Sequence, residues 1–99
     1  MSGVDALLLP TTPLPACKIG DDMETELLGK KVDTFLTYIR NCDPISVVGY
    51  PAITVPSGYS KEGLPIGLQI VTMPWEEGKL IGIAYNFEQA TKVRKPPKL

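Results

Sequence analysis

A short apolar run near the start of the chain, Ala6–Leu9, limits what the chain can fold into more than any other feature. Four residues are too few for a helix, and Pro10 ends the run, so the pattern predicts a β-strand. Because every residue of the run is apolar, both faces of the strand should be buried, as they are in the middle of a sheet. A strand of this kind needs neighbouring strands on both edges.

The next thirty residues contain an extended segment followed by a helical pattern. Residues 11–20 include two prolines and are predicted to run extended across the end of the sheet. Asp21 or Asp22 then offers an N-cap, and the helix should end near residues 40 and 41, before Pro44. Its apolar face would consist of residues that recur at steps of three, four and five: Met23, Leu27, Leu28, Val32, Phe35, Leu36 and Ile39.

The second half of the sequence predicts two strands and a helix. Ala52–Val55 lies between prolines and favours a strand, and residues 57–63 form the turn to a returning strand at Ile66–Thr72. A second amphipathic helix should begin near residues 75–77 and end near Thr91. The predicted order is β-α-β-β-α, an α/β arrangement in two layers. The first strand would keep an open edge in so small a unit, which suggests a piece of a larger sheet.

Composition excludes several classes of function. The 99 residues are enough for one domain. Ten Lys and Arg against eleven Asp and Glu give a net charge of −1, so no direct nucleic-acid partner is expected. The chain has no histidine, which excludes His-dependent catalysis and His-ligated zinc within it.

The cysteines and the two chain ends bear on location. Cys17 and Cys42 are too far apart for a zinc knuckle or a C-x-x-C redox site. Two free thiols in a cytoplasmic protein are favoured, and a disulfide between them stays open. No secretory signal and no apolar stretch of about 18 residues are recognisable, so a cytoplasmic protein without a membrane span is expected. Residues 92–99, with basic side chains beside two prolines, are predicted to be a frayed tail.

Three ordered segments carry a resemblance to a known family: Val4–Pro13, Gly49–Tyr59, and Glu62–Ile70, which contains Gly-Leu-Pro-Ile-Gly-Leu-Gln. Together they resemble the C-terminal portion of the amidase signature enzymes. The segment from Leu80 to Thr91 looks like the closing helix of that family. The resemblance covers nearly the whole chain, and it implies a piece of the family's mixed sheet flanked by helices. Residues 1–99 would then be a single partial domain.

The family hydrolyses carbon–nitrogen amide bonds, and the resemblance implies a Ser-Ser-Lys mechanism. One serine attacks the carbonyl, a second relays the proton, a lysine acts as base, and backbone N–H groups hold the oxyanion. The serines of this chain, Ser2, Ser46, Ser57 and Ser60, lie outside the family's Gly-Ser-rich context. We therefore assign no catalytic residue and expect no cofactor and no metal. The catalytic groups would lie elsewhere, and the isolated chain should not hydrolyse amides.

Two kinds of partner stay open at this point. One is the missing N-terminal part of an amidase domain, whose substrate would be a small amide. The other is a second copy of the chain, in a non-catalytic module that self-associates through open strand edges. A general or fatty-acyl amidase is favoured over a glutamyl-tRNA amidotransferase, because the acidic residue that glutamine-using members carry upstream has no counterpart here.

Candidate substrate contacts form two groups. The first is Thr11 and Thr12, and the second is Cys42, Asp43, Ile45 and Ser46. The resemblance implies that the stretch 42–46 lines the acyl side of the substrate, although relatives often carry Thr in place of Cys42 and Asn in place of Ser46. The two threonines follow the first strand, and ligands gather beyond the carboxyl ends of strands. Structural alternatives stay open, since the threonines could cap a turn, Asp43 could begin one, and Cys42 could be a small packed residue.

Overall fold

The computed structural model describes residues 3–19, 24–27 and 29–96, and it is a mixed α/β structure. The strands and helices, in chain order, are β1 (Leu7–Pro10), β2 (Glu24–Leu27), β3 (Lys30–Asp33), α1 (Thr34–Ile39), α2 (Asp43–Val48), β4 (Ala52–Tyr59), β5 (Pro65–Val71) and α3 (Glu77–Thr91). The predicted α/β class is confirmed. Among the described residues, no helix is both long and apolar enough to cross a membrane.

The main sheet has three antiparallel strands in the order β1-β5-β4. The predicted hairpin of β4 and β5 is confirmed, and both strands extend beyond the predicted bounds on the side of their shared turn. Among the residues that the structure describes, β1 pairs with β5 alone, so it lies at an edge of this sheet. Leu7 and Leu8 are 45% and 63% exposed, so the prediction that this strand is buried on both faces is wrong for the described part of the chain.

The hydrophobic core lies between one face of this sheet and α3. Residues opposite each other in an antiparallel pair share a face, so Ile53 and Val55 of β4 lie beside Ile70 and Leu68 of β5. The helix covers this face with Leu80 and Ala84, supported by partly buried neighbours: Ala6, Ile53, Leu68, Ile83 and Phe87. Predicted α3 is therefore confirmed. The opposite face carries the polar residues described below.

The predicted long helix between residues 21 and 40 is wrong over most of its length. Residues 24–27 and 30–33 instead pair as a two-stranded hairpin, β2-β3, and α1 is the one helix among the described residues of this segment. Gly29 adopts a φ of +78°, which reverses the chain where a helix would continue. The Asp33 carboxylate accepts the Leu36 N–H at 2.8 Å and begins α1 there. The predicted cap at Asp21 or Asp22, with Met23 and Leu28, lies outside the described residues.

A second, unpredicted helix, α2, begins at the Asp43-Pro44 pair. Pro44 lies in the first helical turn, where backbone N–H groups have no partner within the helix, so the N–H that proline lacks is not needed. Gly49 ends α2 with a φ of +75°. The observed order is therefore β-β-β-α-α-β-β-α rather than β-α-β-β-α.

Candidate functional site

Thr11 lies directly beyond β1 and is fixed to both other strands of the sheet. Its N–H donates to the Gly67 carbonyl at 3.1 Å, and its hydroxyl donates to Thr54 Oγ1 at 3.2 Å. A Cβ on Gly67 would lie 2.8 Å from Thr54 Cγ2 and 2.9 Å from Thr11 Oγ1. The absence of a side chain at Gly67 is thus what allows the two threonines to meet over β5.

The connection between α1 and α2, residues 40–42, is held against the same end of β1. The Asn41 side-chain amide donates to the Pro10 carbonyl at 2.7 Å. The Cys42 thiol donates to the Thr11 carbonyl at 3.5 Å. From the sheet, the Gln69 amide donates to the Asn41 carbonyl at 3.1 Å. Gln69 is only 5% exposed, so its hydrogen bond satisfies a polar group that burial would otherwise penalise. We call Pro10, Thr11, Asn41, Cys42 and Gln69 the polar clamp.

Thr12 borders an open cleft next to the polar clamp. Its hydroxyl donates to the Leu14 carbonyl at 2.6 Å, which supports the turn into the proline segment. The cleft has a volume of about 310 Å³, and Thr12, Ser60 and Gly67 are among the residues that line it. The rest of its wall is apolar and rich in proline: Pro10, Pro13, Leu14, Pro15, Pro65 and Ile66.

The candidates on α2 occupy a different position. Asp43 and Ser46 are exposed and Ile45 is half-buried. Among the described residues, no side-chain hydrogen bond joins these three to the polar clamp. The structure therefore brings Thr11 and Cys42 together, places Thr12 beside them on the cleft, and sets Asp43 and Ser46 on the outer surface of α2.

Sequence reasoning missed four residues of this region: Asn41, Thr54, Gly67 and Gln69. Gly67 and Gln69 lie within the Gly-Leu-Pro-Ile-Gly-Leu-Gln segment that carried the resemblance, so the signal for them was present. Thr54 follows from the hairpin register, which sets it opposite Gln69. Asn41 has no local signal, because its partners are Pro10 and Gln69, far away along the chain.

Two serines near the β4-β5 turn bond to backbone groups. Ser57 donates to the Ile66 carbonyl, and Ser60 accepts the Leu64 N–H within the β4-β5 turn. Cys17 and Cys42 are free thiols. No group of three potential metal ligands occurs among the residues that the structure describes.

Tyr38 ties α1 to the proline segment. Its hydroxyl donates to the Pro15 carbonyl. Partial burial raises the pKa of Tyr38, and the neighbouring Cys17 thiol adds to the increase. This phenol therefore stays protonated and acts as a donor near neutral pH.

Lys79 links the helical layer to the start of β1. Its ammonium lies 3.2 Å from the Asp5 carboxylate and 3.5 Å from that of Glu76. The hydrogen bond to Asp5 is the main cause that raises the pKa of Lys79. Because the pair is exposed, it contributes little to stability.

Comparisons with known proteins agree on one family. A sequence profile described as Amidase matches residues 1–81. The chain is 41% identical to a glutamyl-tRNA(Gln) amidotransferase subunit of Methanosarcina barkeri, over all of this chain and 20% of that relative. It is 37% identical to indoleacetamide hydrolase of Agrobacterium vitis, over 95% of this chain and 20% of that relative.

Solved structures give the same result. A crystal structure of an amidase superimposes with a TM-score of 0.84 at 36% identity, covering 91% of this chain and 20% of that structure. A 6-aminohexanoate cyclic dimer hydrolase in complex with substrate superimposes with a TM-score of 0.81 at 35% identity, covering 96% of this chain and 21% of that structure. The chain thus spans about one-fifth of the length of the relatives it matches.

Proposed function

Since this chain belongs to the amidase signature family, we propose that it forms the C-terminal part of an amide-hydrolysing domain. In that domain it supplies three strands of the sheet and one wall of the pocket that receives the acyl side of a small amide. The Ser-Ser-Lys groups come from residues outside this chain. The two free thiols favour a reducing compartment, the cytoplasm.

The observation that carries the proposal is the convergence of the polar clamp on the carboxyl end of β1. Hydrogen bonds from Asn41, Cys42 and Gln69 join three separate parts of the chain beside the cleft. A pocket wall must hold its side chains within fractions of an ångström, and a bonded network of this kind does so. We assign Thr11, Thr12 and Cys42 to the wall itself.

Three residues of α2 form the second part of the proposed wall. Asp43, Ile45 and Ser46 take no part in the polar clamp's hydrogen bonds, and the exposed Asp43 and Ser46 are available to contact an acyl group. Their contribution is to the shape and polarity of the pocket. None of the six assigned residues has a catalytic role.

In the proposed reaction a serine hydroxyl attacks the amide carbonyl, and the second serine, with the lysine as base, relays the proton to the amine that leaves as the carbon–nitrogen bond breaks. Water then hydrolyses the acyl-serine ester, which releases the acid and restores the serine. Backbone N–H groups stabilise the negative oxygen that develops. This chain's share of the work is positioning. A wall that fixes the acyl group brings the carbonyl carbon to the attacking oxygen and reduces the entropy lost in the reaction.

A chimera tests this role. Residues 1–99 replace the matching segment of the Agrobacterium vitis indoleacetamide hydrolase, and hydrolysis of indoleacetamide is measured. We expect an active chimera in which Cys42→Leu raises KM about tenfold with a smaller change in kcat, because the larger side chain narrows the acyl pocket. The control Lys61→Ala, in the exposed β4-β5 turn, should leave both constants unchanged.

Two results would contradict the proposal. The first is a folded chimera without hydrolase activity. The second is amide hydrolysis by the isolated 99-residue chain that persists through repeated purification, because the catalytic groups would then lie within it.

The alternative function is a non-catalytic module that self-associates. The observation in its favour is the apolar outer edge of β1, where Leu7 and Leu8 are exposed. Sedimentation over a range of concentrations separates the two functions, since a stable monomer contradicts self-association.

A further inference from the structure

The chain beyond α3 returns to the β4-β5 hairpin. Lys92 ends α3 with a φ of +47°, and its N–H donates to the Glu88 carbonyl at 2.9 Å. This left-handed conformation is unfavourable for a residue with a side chain and persists where surrounding contacts hold it. Here it turns the chain toward the end of β4. We call residues 92–96 the C-terminal strap.

Two contacts join the C-terminal strap to Tyr59, the last residue of β4. The Lys95 N–H donates to the Tyr59 hydroxyl oxygen at 3.1 Å. The Lys95 ammonium lies 5.6 Å from the centroid of the same ring, within the range of a cation–π contact. The Tyr59 side chain is 39% exposed, so either contact alone is weak. Together they restrict both ends of the phenol ring.

Tyr59 directly precedes the turn that forms one side of the cleft. Ser60 and Pro65, at the two ends of this turn, both line the cleft. The other lining residues come from the start of β5 and from residues 10–15. A movement of the turn relative to residues 10–15 would therefore change the width of the cleft.

Hydrogen bonds within the turn preserve its shape but do not fix its position. The Ser60 N–H donates to the Leu64 carbonyl at 2.8 Å, and the Leu64 N–H donates to the Ser60 hydroxyl oxygen at 3.1 Å. The Gly63 N–H donates to the Ser60 carbonyl at 3.0 Å. The register of β4 shifts before Gly58, as at a β-bulge, where a strand bends. A contact from another element, at Tyr59, limits how far the turn can move.

We propose that the C-terminal strap, through Tyr59, holds the β4-β5 turn in place as the rim of the cleft and so contributes to binding of the acyl group. Tyr59 is then a positioning residue, because it acts through the turn and does not touch the reacting atoms. The inference rests on the proposed function and adds a part of the chain that the proposed wall does not include. An acyl group that fills the cleft of about 310 Å³ meets this rim.

Variants of the chimera with the Agrobacterium vitis indoleacetamide hydrolase test the proposal. Tyr59→Leu removes both contacts and should raise KM for indoleacetamide about fivefold or more, with kcat changed less than twofold, because the rim acts on binding. Lys95→Ala removes the cation–π contact alone and should have a smaller effect. Lys95→Arg keeps a cation over the ring and should leave KM within twofold.

A double variant and a neighbouring residue supply the controls. Tyr59→Leu and Lys95→Ala break the same contact, so their effects on KM should not add when they are combined. Arg94→Ala changes an exposed basic residue directly beside Lys95 and should leave KM and kcat unchanged.

Amide exchange in the 99-residue chain supplies a measurement that does not depend on activity. Tyr59→Leu should speed exchange at Gly63 and Leu64 at least threefold, because the turn is released from the C-terminal strap. Exchange at Ile70, in the middle of the hydrophobic core, should stay unchanged. A merely structural role for Tyr59 would speed exchange at all three residues.

Three results would overturn the proposal. They are an unchanged KM in Tyr59→Leu, an equal increase of KM in Arg94→Ala, and equal acceleration of exchange at Ile70 and in the turn. An active chimera whose KM does not respond to Tyr59→Leu would leave the proposed function standing and reject only the role of the C-terminal strap. An inactive chimera would reject the proposed function, and exchange at Gly63 and Leu64 would still decide whether the C-terminal strap holds the turn.

Discussion

At the scale of single residues, the geometry around the end of β1 depends on the lack of a Cβ atom at Gly67. Gly67 lies where β5 passes beneath Thr11 and Thr54, and its φ is in the ordinary range. Backbone freedom is therefore not the reason for glycine at this position. The reason is space, since any Cβ would lie under 3.0 Å from both threonine side chains.

Two alanine substitutions should have opposite effects on stability. Gly67→Ala forces the threonines apart, and we expect a loss of about 1–3 kcal/mol in the free energy of unfolding. Gly82→Ala, inside α3 with open space around the new Cβ, should instead gain about 0.5–1 kcal/mol. Urea unfolding of both variants measures the difference. Thr54→Ser removes the methyl group that clashes, so adding it to Gly67→Ala should recover part of the loss; no recovery would contradict this account.

At the scale of secondary structure elements, the segment from residue 24 to residue 48 shows how local hydrogen bonding divides a chain. Asp33 bonds to the Leu36 N–H and begins a helix there, and Gly29 turns the preceding residues into a hairpin. Apolar spacing predicted one long helix because the hairpin and α1 together place apolar residues at similar steps. The spacing of apolar residues alone does not reveal the helix cap at Asp33 or the turn at Gly29.

Removing the cap at Asp33 tests this division. Asp33→Ala should lower the free energy of unfolding by about 1 kcal/mol, because the Leu36 N–H loses its acceptor. Asp33→Asn keeps a side-chain oxygen and should cost much less. Chemical denaturation of the two variants, compared with Asp43→Ala in α2, gives the measurement. An equal loss in all three would show that charge rather than capping stabilises the helix.

At the scale of the whole molecule, the core lies on one side of the sheet and the polar clamp on the other. The core beneath α3 is small, with Val55, Ile70, Leu80 and Ala84 as its buried residues. Beyond β5 the cover is thinner: Leu7 and Leu8 of β1 are 45% and 63% exposed. The chain is therefore well packed around β4, β5 and α3 and less covered along β1.

Two residues paired across β1 and β5 should differ sharply in their effect on folding. Ile70 is 1% exposed and Leu8, directly opposite, is 63% exposed. Ile70→Ala should cost about 2–5 kcal/mol through the cavity it leaves, whereas Leu8→Ala in the free chain should cost under about 0.5 kcal/mol. Thermal and urea unfolding measure both. A large loss for Leu8→Ala would show that the edge is already covered in the free chain.

The sequence by itself determined the elements whose signals are local. The β4-β5 hairpin follows from β-branched residues between prolines and a glycine-containing turn, although β4 runs four residues beyond its predicted end. The helix α3 follows from its apolar spacing and was predicted close to its observed bounds. The family resemblance likewise rested on short ordered segments. Thr11 and Thr12 were identified as candidates because they follow the first strand, and Cys42 because of its position in the family resemblance.

Only the tertiary structure decided the position of β1 and the membership of the polar clamp. Gln69 and Asn41 are 28 residues apart, and Asn41 and Pro10 are 31 apart, so no local spacing encodes their hydrogen bonds. An apolar run predicts a strand that prefers burial, but whether that burial occurs depends on which other segments reach it. Here β5 reaches one edge of β1, and the physical consequence is an apolar strand whose other edge has no strand beside it in the described part of the chain.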